Sequence, residues 1–284
     1  MDRRLLTACA RPQVAALVIL ACVAPPSESR AAEASPWVKN AQSEARLIAG
    51  GRDAETVLAG LEVRLEPRFI TYWRDPGDAG VPPTFSSAGS ENVRSVAVRY
   101  PAPKSLDEAG AKAFGYEDDV IFPLLVVPED PSKPVGLAVT LDYAVCHEIC
   151  LPAHADLHLT LDGKPSAEAG RVRDALAAVP RPATVGSAGG APSVVKATPD
   201  GNGGFTVLAE GAAGGTLFVE APEGWSYEAG APQPQGTGRT MFPVKRLDHP
   251  KGAERPPGPL TLTLTAPTGA VEVPVLLDAA VPKP

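Results

Sequence analysis

Two antiparallel β-sandwiches in tandem, with little helix, are the fold this sequence predicts. Three observations predict it. The 284 residues hold 32 prolines and 27 glycines, which break the chain into short elements. Between those breaks, apolar residues alternate with polar ones at the strand period of two. A stretch of Pro, Gly and small residues over 181–192 shows no apolar period and reads as a linker between a domain at 35–180 and a second, smaller one at 193–284.

Residues 1–34 have the three parts of a secretory signal peptide. Arg3 and Arg4 open it, an apolar run follows over 14–23, and Ala32-Glu33-Ala34 offers a cleavage site. The run is too short to cross a bilayer, and no later stretch approaches the roughly 18 apolar residues a membrane helix needs. The mature chain is therefore expected to be soluble and exported. Ile19-Leu20-Ala21-Cys22 loosely matches a lipoprotein signal, but Leu at its middle position is unusual and a plain cleavage site follows. The formal charge is -7. Residues 1–32 contribute a net +2 (Arg3, Arg4, Arg11 and Arg30 against Asp2 and Glu28), so the remainder carries -9. That excess of acid argues against nucleic acid or an anionic membrane surface as partner.

Strands are predicted over 45–49, 58–65, 93–100, 120–127, 137–143 and 156–161. In Leu61-Glu-Val-Arg-Leu65 the odd positions are apolar and the even ones charged, as in a strand with one face buried. Residues 120–127 are apolar enough to be buried on both faces. A helix is predicted over 166–179, capped by Ser166. The second domain reads as strands over 204–209, 216–221, 239–246, 260–265 and 271–277. Tyr100-Pro101, Phe122-Pro123 and Leu137-Ala-Val-Thr-Leu141 are followed at similar intervals by Ala221-Pro222, Phe242-Pro243 and Leu260-Thr-Leu-Thr-Leu264. The parallel predicts a degenerate duplication whose second copy lacks cysteine.

Beyond the leader, which holds Cys9 and Cys22, the only cysteines are Cys146 and Cys150, in Cys-His-Glu-Ile-Cys. Strands ending near Val145 and starting near Ala155 make hairpin partners, and facing residues in an antiparallel pair are close enough for a disulfide. Three uses remain open: a staple, a redox pair, or a metal site. A loop of about five residues gives only about 2 kcal/mol of stabilisation, which weakens the staple. Cys146, Cys150, His154 and His158 are spaced by four, but Pro152 interrupts a helix there and on a strand the two histidines lie about 13 Å apart. No metal or cofactor is therefore expected. Asp118-Asp119 and Gly50-Gly51 read as turns, and His249 as a solvated side chain. There is no Cys-x-x-Cys, which argues against a thioredoxin-like oxidoreductase.

Residues 40–162 resemble the N-terminal periplasmic domain of the thiol:disulfide interchange protein DsbD. The resemblance rests on residues 60–65, on Phe69-Ile-Thr-Tyr-Trp-Arg-Asp-Pro-Gly77, on Phe114-Gly-Tyr116, and on Asp142-Tyr-Ala-Val-Cys146 with Cys150-Leu-Pro152. It implies an immunoglobulin-like sandwich and a reacting Cys146/Cys150 pair. Phe114 and Tyr116 match the loop that caps the family's disulfide, and Tyr72 and Trp73 the aromatic strand beside it. It also implies disulfide-reductase-like activity. The pair would take electrons from a membrane thiol reductase and pass them to periplasmic thioredoxin-like oxidoreductases, including those serving cytochrome c biogenesis. Two departures stand out. The cysteine gap is shorter than in the best-known members. No membrane segment follows, so a separate membrane protein is expected as the reductant. The alternative is a non-catalytic binding or metal-chaperone module with a structural disulfide.

Overall fold

The computed structural model describes residues 32–277, except Ala79, Ala109, Ala188, Gly189 and Thr237. The leader expected over 1–34, with Cys9 and Cys22, lies outside the described residues as far as residue 31. The strands of the first half are β1 (Val38–Lys39), β2 (Ser43–Asp53), β3 (Thr56–Leu65), β4 (Ile70–Gly77), β5 (Thr84–Ser86) and β6 (Val93–Val98). They continue with β7 (Lys104–Glu108), β8 (Ala111–Glu117), β9 (Asp119–Pro128), β10 (Val135–Cys146) and β11 (Cys150–Leu161). One helix, α1 (Ala169–Ala177), follows. The second half has β12 (Arg181–Pro182), β13 (Ser193–Pro199), β14 (Phe205–Glu210), β15 (Thr216–Glu220) and β16 (Ser226–Ala229). It closes with β17 (Gln233–Pro234), β18 (Arg239–Asp248), β19 (Leu260–Ala266) and β20 (Gly269–Val275).

The chain is all-β. In the first half, one sheet has the order β1-β2-β3-β9-β6 and the other β11-β10-β4-β8-β7, with β5 also on β10. Seven of these strands give the ABED and GFC layers of an immunoglobulin-like sandwich: β2-β3-β9-β6 facing β11-β10-β4. The hydrophobic pattern explains the layering. On β10, Leu137, Val139, Leu141, Tyr143 and Val145 are buried; on β11, so are Ala153, Ala155, Leu157, Leu159 and Leu161, while the residues between them are exposed.

The second half repeats that plan. Its sheets are β13-β14-β18-β16 and β20-β19-β15, the same seven strands in the same chain order. Phe122 on β9 and Phe242 on β18 are buried at matching places, each followed by proline. The hairpin that joins Cys146 to Cys150 in the first copy joins Ala266 to Gly269 in the second. The first copy carries an addition absent from the second: the β7–β8 hairpin, inserted between β6 and β9 and paired onto β4.

Three details differ from the sequence reading. The linker opens as a strand, because β12 adds parallel to β20. The helix is shorter than predicted, and Ser166 forms the turn ahead of it: its hydroxyl donates to the Ala49 carbonyl (2.6 Å) and accepts from the Glu168 N–H (3.0 Å). Gly50-Gly51 is a bulge inside β2 rather than a turn.

The helix is bound to the sheet at two points. Val172 is buried against Ile48 and Leu58. Glu62, whose side chain is fully buried, accepts hydrogen bonds from Arg46 (2.7 Å) and from Arg171 (3.1 Å at one nitrogen). Burial pushes the Glu62 carboxyl up, but the hydrogen bonds from Arg171 and Arg46 outweigh it and hold the group below its usual range.

Candidate active site

The sheet alternation that buries Tyr143 and Val145 turns Ala144 and Cys146 to the opposite, outer face of the β11-β10-β4 sheet. There Cys146 is directly opposite Cys150 in the hairpin register, with Cα atoms 4.2 Å apart, and the two form a disulfide. Ile70, Tyr72, Ala113 and Ala144 pack around Cys146, which is 0% exposed. Cys150 is exposed. The tip between them is His147-Glu148-Ile149. The His147 ring meets the edge of Phe69 from the β3–β4 turn (5.6 Å), and Ile149 stands 68% exposed.

Two further side chains reach the sulfurs. Tyr72, from β4, has its hydroxyl 3.4 Å from Cys150 Sγ and donates to the Glu108 carboxylate, whose oxygens lie 2.8 and 2.7 Å away. Glu108, at the end of β7, places Oε1 3.3 Å from Cys150 Sγ. Burial, and then the Glu108 hydrogen bond and charge, push the Tyr72 hydroxyl well above the usual range, so it is a proton donor throughout the working pH range. The inserted hairpin delivers Glu108, and one glycine lets it approach. A Cβ on Gly115 would come within 2.1 Å of the Thr71 carbonyl oxygen, so β8 meets β4 this closely only with glycine there. Gly80 covers the Tyr72 ring in the same way: a Cβ there would be 2.5 Å from it.

Of the residues singled out in the sequence, the structure brings Cys146, Cys150 and Tyr72 together. It does not bring Phe114, Tyr116 or Trp73 to the disulfide, and the cap expected of Phe114 and Tyr116 is corrected. Strand alternation on β8 turns Gly115 toward the disulfide face and its two aromatic neighbours inward. Tyr116 packs on Phe122 (5.5 Å) and donates to the Pro101 carbonyl (2.9 Å). Phe114 packs on Phe218 (4.9 Å), and fully buried Trp73 meets the same ring (5.7 Å). The residue missed was Glu108. It reaches Cys150 across 42 positions of chain, and a single Glu between Asp107 and Ala109 carries no local signal.

His154 shares the outer face of β11 with Cys150, but it is engaged elsewhere, between Asp142 (2.7 Å) and Asp156 (3.2 Å). Those hydrogen bonds, Asp142 first, raise its pKa above the ordinary value. Asp118 forms a turn between β8 and β9 with a positive φ of 63°, and His249 stacks at a tilt on Trp225 (5.6 Å). Among the described residues no helix is long and apolar enough to cross a membrane.

Comparison with known proteins places this geometry. Residues 39–162 match the family model described as thiol:disulfide interchange protein DsbD, N-terminal. No curated protein matches the chain. Among solved structures it is similar to the N-terminal periplasmic domain of ScsB from Proteus mirabilis, at 22% identity and a TM-score of 0.67, covering 86% of this chain and 98% of that one. That likeness extends the shared fold across both sandwiches. A conserved domain protein from Bacillus anthracis aligns over 83% of this chain and 76% of its own at 10% identity, and its TM-score of 0.28 is too low to bear on the fold. The first sandwich of this chain, with its disulfide at the β10–β11 hairpin, is thus the part that matches the family model of the DsbD N-terminal domain.

Proposed function

We propose that the chain is a periplasmic thiol:disulfide exchange module with protein-disulfide-reductase-like activity, and that Cys146 and Cys150 are its reacting pair. The observation that supports this best is the asymmetry of the bond: one sulfur belongs to an exposed residue at a protruding tip, the other to a fully buried one. A partner thiolate attacks Cys150 Sγ and displaces Cys146, which takes up a proton. The partner's second thiol then attacks its own sulfur in the mixed disulfide and releases Cys150. Two electrons and two protons have moved, the partner leaves oxidised, and the module holds two thiols. The Cys150 thiol then has the Glu108 carboxylate as its hydrogen-bond acceptor. Delivery to a downstream disulfide is the reverse.

The domain at 35–180 carries this chemistry, and 193–284 is a cysteine-free copy that supports it. The family suggests the partners: a separate membrane thiol reductase upstream and periplasmic thioredoxin-like oxidoreductases downstream, among them those of cytochrome c maturation. The alternative, a binding module with a structural disulfide, is weakened by the small stabilisation, about 2 kcal/mol, that so short a loop supplies. Equilibration of the full chain against glutathione or dithiothreitol buffers decides between them. An exchange pair has a potential well above about -300 mV, whereas a value below that marks a staple.

A further inference from the structure

Among the described residues, one group of three metal-ligand side chains converges: Glu108, Cys146 and Cys150, with ligand atoms all within 4.8 Å of one another. Opening the disulfide turns this group into two thiols and a carboxylate facing a common point. We infer that the reduced pair, together with Glu108, is a binding site for a divalent zinc-like cation, and that zinc and the disulfide are mutually exclusive occupants of the hairpin tip.

The donor set decides the class of ion. Two thiolates and one carboxylate oxygen suit zinc, which takes S and O ligands at about 2.3 and 2.0–2.2 Å in tetrahedral geometry. Those lengths place two sulfurs about 3.8 Å apart and a sulfur and an oxygen about 3.5 Å apart. Cys150 Sγ and Glu108 Oε1 are 3.3 Å apart already, and the sulfurs need only separate once their bond is cut. Monovalent copper has no need of the carboxylate, and magnesium or calcium no use for the thiolates.

The surroundings fit as well. The Tyr72 hydroxyl donates to the Glu108 carboxylate, the outer support that orients a ligating carboxylate. Cys146 is buried and Cys150 exposed, so the fourth position opens to solvent on one side. His154 is not part of the set, being held by Asp142 and Asp156. Binding balances as Zn²⁺ plus two thiols giving a dithiolate complex and two protons. It needs a reductant for the disulfide but no exchange partner. The site uses the cysteines of the proposed exchange reaction without depending on it, so a chain that exchanges thiols yet ignores zinc loses only this inference.

The test uses the full chain, reduced by a phosphine, with two thiols counted and the reductant removed under anaerobic conditions. Zinc is titrated against a chromophoric chelator, and Co²⁺ serves as a spectroscopic probe. The expected result is one zinc per reduced chain and none per oxidised chain, with tetrahedral cobalt bands and thiolate-to-cobalt charge transfer. Glu108→Gln should weaken zinc tenfold or more, while His154→Ala leaves it unchanged. Zinc should also shield both thiols from alkylation. Equal binding by oxidised and reduced chains, no binding by the reduced chain, or a pair that phosphine cannot open would overturn the inference. So would unchanged zinc affinity in Glu108→Gln, or a site that takes only monovalent copper. If Glu108→Gln does not fold, the cobalt spectrum of the unaltered chain still decides, because octahedral bands without charge transfer exclude the site.

Discussion

Phe218, a residue of the second sandwich, has its ring set edge-on against Phe114 of the first, with centroids 4.9 Å apart. It also meets Trp73 and is buried in the first hydrophobic core, not the second. β15 turns Leu217 and Val219 into its own core and Phe218 outward into the neighbour's. Arg74, stacked over Trp73 at 4.6 Å, adds a two-pronged hydrogen-bonded pair with Glu220 (2.8 and 2.7 Å) and a contact with Glu272. Phe218→Ala should therefore lower stability by about 3–5 kcal/mol, the cost of truncating a buried phenylalanine. Denaturant unfolding of the full chain measures it. A loss under about 1 kcal/mol would mean that the two sandwiches do not share this core.

The same contact bears on truncation. A cysteine-free second copy suggests that thiol exchange survives its removal. Cutting the chain at 185 would also uncover Trp73 and Phe114, so the shortened protein should be less stable while its disulfide still opens. Parallel measurements of melting and of dithiothreitol reduction separate the two effects. A folded but inert fragment would assign the second sandwich a part in exchange.

Access to the disulfide should be controlled from β4 rather than β8. Tyr72→Ala removes the ring whose hydroxyl lies 3.4 Å from Cys150, and should speed reduction by dithiothreitol. Phe114→Ala should leave that rate unchanged, because Phe114 is on the inward face. A rate that responds to Phe114 and not to Tyr72 would restore the cap read from the sequence.

The negative charge of Glu108 beside Cys150 opposes thiolate formation there. Glu108→Gln should raise the thiolate fraction of the reduced chain at neutral pH and quicken its alkylation by iodoacetamide. Initial rates between pH 6 and 9 test this. A slower variant would mean that the carboxylate serves instead as the acceptor that draws the proton away.

The sequence made the hairpin legible and hid its neighbours, for physical reasons. From Ala153 onward β11 alternates strictly, and β10 repeats its large apolar residues at every second position, so the positions of Cys146 and Cys150 on facing strands could be read directly. The Phe-Pro parallel likewise exposed the duplication, since the buried Phe122 and Phe242 occupy one place in two copies of the same sheet. β7 and β8 were not legible. Leu106, Ala111 and Ala113 are the apolar residues they turn to the disulfide face, beside Lys104 and Glu108, and Gly115 reads as a loop residue until its close approach to the Thr71 carbonyl is seen. Without those strands, the direction of Phe114 could not be known and Glu108 could not be found. Phe218 was hidden for another reason: alternation shows which face a residue occupies, but not that a second body covers the outer one.

Acid should loosen the helix before it opens the sandwiches. Glu62 is fully buried beneath Arg46 and Arg171, and its carboxyl is held below the ordinary value of 4.5. A depressed folded-state pKa contributes stability that is complete above the unfolded-state value and is lost as pH falls through the folded-state one. The contribution is therefore whole at pH 7, begins to fall near pH 4.5 and disappears below that. Glu62→Gln removes it at every pH and leaves two arginines without their shared partner. Breaking a buried pair costs about 3–5 kcal/mol, and the lower end applies because Arg171 is partly exposed. The stability gap between the unaltered chain and Glu62→Gln should thus be constant from pH 7 to about pH 5 and narrow steadily toward pH 3. Urea titrations at four or five pH values give the gap directly. A gap that stays constant to pH 3 would show that Glu62 takes up its proton alike in the folded and unfolded states, and the acid sensitivity of the chain would have to come from another carboxylate.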